Sequence, residues 1–141
     1  MNIDHKVGKI VVAVDTSGSI GGAILDTFLT EVKSICDEVR PETVDLLYWD
    51  MNVAGHEMYT ESEYESLIDQ TKPQGGGGTD PACIPAYMAK HNMAAEMTIV
   101  LTDGYFSGEG DWSVVNSPVI WCVVDNKSYT SNTGKVIHIK T

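Results

Sequence analysis

At 141 residues, with 43% hydrophobic residues and three Trp, the chain is long enough for one domain with a real core and too apolar for disorder. Its formal net charge of −11 disfavours nucleic acid or an anionic membrane as a partner, and favours cationic partners, metal ions or plain solubility. Three Cys (Cys36, Cys83 and Cys122) with no C-x-x-C pair exclude a disulfide framework, so buried free thiols and a reducing compartment are expected.

Residues 1–8 read as a lead without a signal-peptide core, and residues 9–141 as one domain. No stretch is apolar for long enough to span a bilayer, so no membrane contact and a cytoplasmic location are expected. Lys9–Val14 is a continuous apolar run, the pattern of a strand covered on both faces. Ile24, Leu25, Phe28, Leu29, Val32, Ile35, Cys36 and Val39 follow at amphipathic spacing, predicting a helix of about five turns that Pro41 closes. Val44–Trp49 is a second buried strand, and Asp50-Met51-Asn52 a hairpin turn into an antiparallel edge strand over Val53–Tyr59.

Glu61 to Ile68 reads as a short acidic helix with Ser62 as its cap, and Glu57–Glu65 as a solvated face. Pro73 to Gly78 is a loop. Asp80-Pro81 then opens a helix that runs to about His91, with Asp80 as N-cap and Pro81 at the first helical position. Met97–Leu101 and Val119–Val124 are two more buried strands, and the segment between them holds one helical turn at most. Val136, Ile137 and Ile139, flanked by Lys135 and Lys140, make a last, half-buried strand. The series predicts an open α/β sheet, mostly parallel, with helices on both faces. Its ligand crevice belongs at the carboxyl ends of the strands, where strand order reverses, and both Asp15 and Asp103 lie at such ends.

Asp15-Thr16-Ser17-Gly18-Ser19 follows directly on the first strand. A carboxylate and two alternating hydroxyls are hard oxygen ligands, suited to Mg²⁺ or Mn²⁺, with Ca²⁺ the weaker candidate, rather than zinc or copper. Gly77-Gly78-Thr79-Asp80 offers a third hydroxyl on a loop that glycine lets approach closely, and Leu101-Thr102-Asp103-Gly104 a second carboxylate. Neutral hydroxyls leave such an ion most of its charge and an open position, which suits the capture of an outside carboxylate. Neighbouring enzyme signatures fail: His56-Glu57-Met58-Tyr59-Thr60 lacks the second His of H-E-x-x-H, and there is no Walker phosphate loop and no G-x-S-x-G elbow. The four His (His5, His56, His91, His138) have no ligand spacing.

Asp15-x-Ser17-x-Ser19, Thr79 in its glycine-rich loop and Asp103 in Leu-Thr-Asp-Gly together resemble the metal-ion-dependent adhesion site of von Willebrand factor A (VWA) domains. Asp-Thr-Ser-Gly-Ser-Ile, Gly-Gly-Thr-Asp-Pro and Leu-Thr-Asp-Gly-Tyr are most similar to a bacterial and phage VWA-like family of uncharacterised role. The resemblance implies the three-layer, Rossmann-like VWA fold, with one antiparallel edge strand. It also implies direct metal contact from Ser17 and Ser19, contact from Thr79 when a ligand is engaged, and action of Asp15 and Asp103 largely through water. Asp50 resembles an acidic position of the family, and Asp50, Asp80, Tyr105 and Phe106 are candidates for a partner-contact rim. In that family the domain often follows a metallopeptidase-like region, and related genes often accompany a MoxR-type AAA+ ATPase, so that ATPase or its client is the implied partner. The expected function is non-enzymatic: a metal-dependent protein-binding module completed by an Asp or Glu of the partner. A metal-dependent hydrolase of phosphates or esters, and a scaffold tied together by its metal, are the alternatives.

Overall fold

A computed structural model describes residues 7–139. Most of the predicted lead, His5 and the flanking Lys140 lie outside the described residues. The elements run β1 (Lys9–Asp15), α1 (Gly22–Val39), β2 (Thr43–Trp49), β3 (Val53–Thr60), a 3₁₀ segment (Glu61–Ser66), α2 (Leu67–Gln70), α3 (Cys83–Lys90), β4 (Met97–Thr102), β5 (Val119–Val124) and β6 (Lys135–Ile139). They build a six-stranded sheet of order β3-β2-β1-β4-β5-β6, antiparallel only at the β2–β3 edge.

Alternation along the central strand explains the layers. Ile10, Val12 and Val14 pack with Phe28, Leu29, Val32 and Cys36 of α1, and with Tyr64 and Leu67, on one face. Val11 and Ala13 pack with Ile84 and Met88 of α3 on the other. Because α1 and α3 lie on opposite faces, β1 has β2 on one side and β4 on the other, with Val14 beside both Tyr48 and Leu101. Strand order therefore reverses between β1 and β4, which opens a crevice beyond Asp15 and Asp103. Among the described residues, no helix is long and apolar enough to cross a membrane.

α1 ends as predicted before Pro41, on Arg40 in the left-handed region, whose N–H donates to the Cys36 carbonyl at 3.0 Å. Three local expectations are corrected. The segment after β3 is 3₁₀ over Glu61–Ser66 and α-helical only over Leu67–Gln70, and Thr60 rather than Ser62 caps it. The Glu63 carboxylate reaches back to the Thr60 N–H at 2.9 Å and to its hydroxyl at 3.0 Å. Glu57 is not part of a solvated face, because it accepts from the Tyr48 and Tyr59 hydroxyls at 2.7 and 2.8 Å and from the Lys72 N–H at 2.9 Å. The helix predicted from Asp80-Pro81 to His91 begins only at Cys83 and ends at Lys90. Asp80 caps a preliminary turn instead, its carboxylate accepting from the Ala82 N–H at 3.1 Å.

All three cysteines are free, with Cys36 and Cys122 buried and Cys83 half-buried rather than buried. Burial, then the Asp80 and Asp50 carboxylates, push the Cys83 thiol up to about 12, so it stays protonated at neutral pH and is a poor nucleophile. Burial likewise lifts Cys36 to about 12 and Cys122 to about 11. His56 is structural: its ring bridges Asp45 at 2.7 Å and the Tyr87 hydroxyl at 2.8 Å, while His91 packs on Tyr87.

Candidate metal centre

β1 leaves the sheet at Asp15, which is fully buried, and the next residues fold back over it. One carboxylate oxygen of Asp15 accepts from the Ser17 N–H at 2.9 Å and from the Ser17 hydroxyl at 2.6 Å. The other accepts from the Thr102 hydroxyl at 2.7 Å. The Ser19 hydroxyl donates to Asp103 at 3.0 Å and lies 3.4 Å from the Ser17 hydroxyl. Asp15, Ser17, Ser19 and Asp103 thus form one hydrogen-bonded chain across the ends of β1 and β4.

Two features of this chain matter chemically. Each serine gives its proton to a carboxylate, which leaves its oxygen lone pairs available to a cation. Asp15 and Asp103 are both buried, at 0% and 4% exposure, yet among the described residues neither forms an ion pair with Lys, Arg or His. Burial pushes the Asp15 carboxyl above its ordinary value and the neighbouring Asp103 adds to the rise, against the lowering hydrogen bonds from Ser17 and Thr102. Two buried acids that among the described residues have no basic partner, hydrogen-bonded by two serine hydroxyls, fit a hard divalent cation. Among the described residues no three His, Cys, Asp or Glu side chains converge on one point, so such an ion depends on the hydroxyls as well as the carboxylates.

The glycine-rich loop is docked on this cluster by its backbone. Gly18 N–H donates to the Gly77 carbonyl at 2.8 Å, and Gly76 N–H to the Thr16 carbonyl at 2.7 Å. Thr79 sits half-buried in this loop, but no hydrogen bond joins its hydroxyl to the four other predicted residues. Gly75 has φ +154°, and a Cβ there would stand 2.1 Å from the Thr16 hydroxyl oxygen. Gly75→Ala is therefore expected to cost roughly 2 kcal/mol in urea unfolding by forcing the loop off the cluster. A loss below about 0.5 kcal/mol would show that the loop is not held there.

Asp50, one of the rim candidates, pins this loop. Its carboxylate accepts from the Gly77 N–H at 3.1 Å and the Asn52 N–H at 3.0 Å, and its carbonyl from the Asp80 N–H at 3.0 Å. Tyr105 is exposed, with its hydroxyl on the Asp125 carbonyl at 3.2 Å. Phe106 instead packs beneath the loop against Trp49, Trp121 and Tyr129.

Sequence reasoning missed Thr102 and Thr16. Thr102 is a fully buried hydroxyl at the end of an apolar strand, and its place before Asp103 is the signal that could have found it. Thr16 holds the Gln74 carbonyl at 2.6 Å through its hydroxyl, and only the fold brings those two together.

The family described as VWA-like domain (DUF2201) matches residues 10–140 of the chain. No curated protein matches it.

Proposed function

The chain belongs to the VWA-like domain family, a fold suited to protein interaction or scaffolding, and from that premise we propose a metal-dependent protein-binding module. One observation carries the reading: Asp15 and Asp103, both buried and without a basic partner among the described residues, are joined through Ser17 and Ser19 at hydrogen-bond distances. In this reading Ser17 and Ser19 are the direct ligands, and Asp15 and Asp103 orient them and hold bound water. Thr79 rides on a loop docked against Thr16 and Gly18, on either side of Ser17, and is the further ligand. Mg²⁺ or Mn²⁺ suits so few side-chain oxygens better than Ca²⁺, which takes six to eight.

An ion held mainly by neutral hydroxyls supplies an open position of high residual charge. The partner completes it with an Asp or Glu side chain, and a MoxR-type AAA+ ATPase or its client is the first to test. The three loops contain no Lys, Arg or His to stabilise developing charge, which supports capture rather than catalysis. Pull-down with the ATPase as bait is expected to recover this chain with Mg²⁺ and to lose it with chelator. Recovery indifferent to chelator would defeat the proposal.

Asp15→Asn separates metal binding from folding. Neutralising a buried acid beside Asp103 relieves its desolvation but sets an amide –NH2 against the Thr102 or Ser17 hydroxyl, so the metal-free domain is expected to change by no more than about 1 kcal/mol. The same substitution should erase the rise in melting temperature on adding Mg²⁺, followed by thermal scans with and without chelator. A variant that keeps the wild-type Mg²⁺ shift would remove Asp15 from the site.

A further inference from the structure

We propose that two exposed apolar side chains, Met51 and Tyr105, bracket the candidate site and select an acidic residue with apolar neighbours over an acidic tract. This rests on the carboxylate-capture reading above and adds to it the sequence class of the partner.

Met51 is 51% exposed and Tyr105 60% exposed, two of the largest exposed apolar side chains of the chain. Met51 follows the end of β2 and lies over the glycine-rich loop, where a Cβ on Gly78 would stand 3.0 Å from its sulfur. Tyr105 follows the end of β4, with its N–H 3.3 Å from the Asp103 carboxylate. β1 lies between those two strands, so at about 4.8 Å per strand the strand ends that carry them are about 10 Å apart, with Asp15 between. In an extended peptide the side chains at i−2 and i+2 share the face of residue i and lie about 13 Å apart, within reach of this pair.

Neither side chain is needed for the core, and the Tyr105 ring is tethered through its hydroxyl to the Asp125 carbonyl at 3.2 Å. A ring already held in place loses little freedom on docking. The surrounding charge sets the second half of the preference. Asp50 and Asp80 stand at this end of the sheet beside the site, on a chain of net charge −11. One carboxylate can be taken up at the site, but additional acids beside it meet like charge. The complementary ligand is a lone Glu or Asp in an otherwise apolar segment.

The test uses Mg²⁺-loaded protein titrated calorimetrically with three capped pentapeptides: Leu-Gly-Glu-Gly-Leu, whose leucines share the face of the Glu, Gly-Gly-Glu-Gly-Gly and Glu-Gly-Glu-Gly-Glu. The leucine-flanked peptide is expected to bind about tenfold more tightly than the glycine-flanked one, from burial of two apolar side chains. The triple-Glu peptide should bind no better than the glycine-flanked one. Met51→Ser plus Tyr105→Ser should abolish the leucine preference and leave Mg²⁺ affinity within about twofold of the wild type. Equal affinity for the leucine- and glycine-flanked peptides, or tightest binding of the triple-Glu peptide, overturns the selection and leaves capture standing. A leucine preference that survives chelator, or that survives in the double variant, also overturns it. If no peptide binds while Mg²⁺ does, carboxylate capture itself fails, and the selection with it.

Discussion

Ser17→Ala combined with Ser19→Ala is expected to lower Mg²⁺ affinity more than about 100-fold, beyond the loss typical of residues that only support a ligand. Both hydroxyls face the same cluster, at 3.4 Å from each other, so on the proposed reading a single substitution leaves one serine ligand and the pair leaves only Thr79. The fold should survive. Asp15 keeps the Ser17 N–H at 2.9 Å and the Thr102 hydroxyl at 2.7 Å, and Asp103 keeps the Tyr105 N–H at 3.3 Å. Losing two hydroxyl bonds costs about 1–2 kcal/mol, or no more than about 6 °C in melting temperature. Calorimetric titration with Mg²⁺ and a thermal scan of the same sample check both halves. Unchanged affinity would remove the serines from the site, and an unfolded variant would reassign them to the scaffold.

Trp121→Ala is the substitution expected to cost most stability, about 3–5 kcal/mol and roughly 10 °C. Trp121 is fully buried on β5, with ring centroids 5.5 Å from Trp112, 6.0 Å from Phe106 and 6.0 Å from Tyr129. Its indole N–H donates to the Thr133 hydroxyl at 3.0 Å. Those neighbours come from the segments after β4 and β5, so one side chain supports both loops beside Asp103. Trp121→Phe keeps most ring contact and should cost less than about 2 kcal/mol. Urea unfolding of both variants decides the matter. A loss below about 1 kcal/mol for alanine would mean that the loops are held by something else.

That cluster also shows where the sequence was hard to read. β4 and β5 are adjacent and parallel, a pairing usually bridged by a helix, yet none lies between them. The weakness of that crossover is visible as the absence of helical spacing over Tyr105–Asn116. Trp112, buried on Trp121, takes the place of the helix, and no local pattern announces it. The β-strands, by contrast, are legible because a strand buried on both faces must be apolar throughout. The bounds near Glu61 and Asp80 shifted because a cap depends on which side chain reaches back, as Glu63 does to Thr60.

The amino-acid order alone determined the alternation of strand and helix, the antiparallel hairpin edge, and the candidacy of Asp15, Ser17, Ser19, Thr79 and Asp103. Those features rest on period, local spacing and side-chain chemistry, which need no partner distant in the chain. Tertiary structure alone decided that Thr102 holds Asp15 across a separation of 87 residues, that Thr16 and Asp50 pin the glycine-rich loop, and that Phe106 packs inward while Tyr105 stays exposed. Each is a pairing between residues that become neighbours only when β1, β2 and β4 lie side by side. A hydroxyl or carboxylate carries no mark in its own surroundings of which remote atom it will meet.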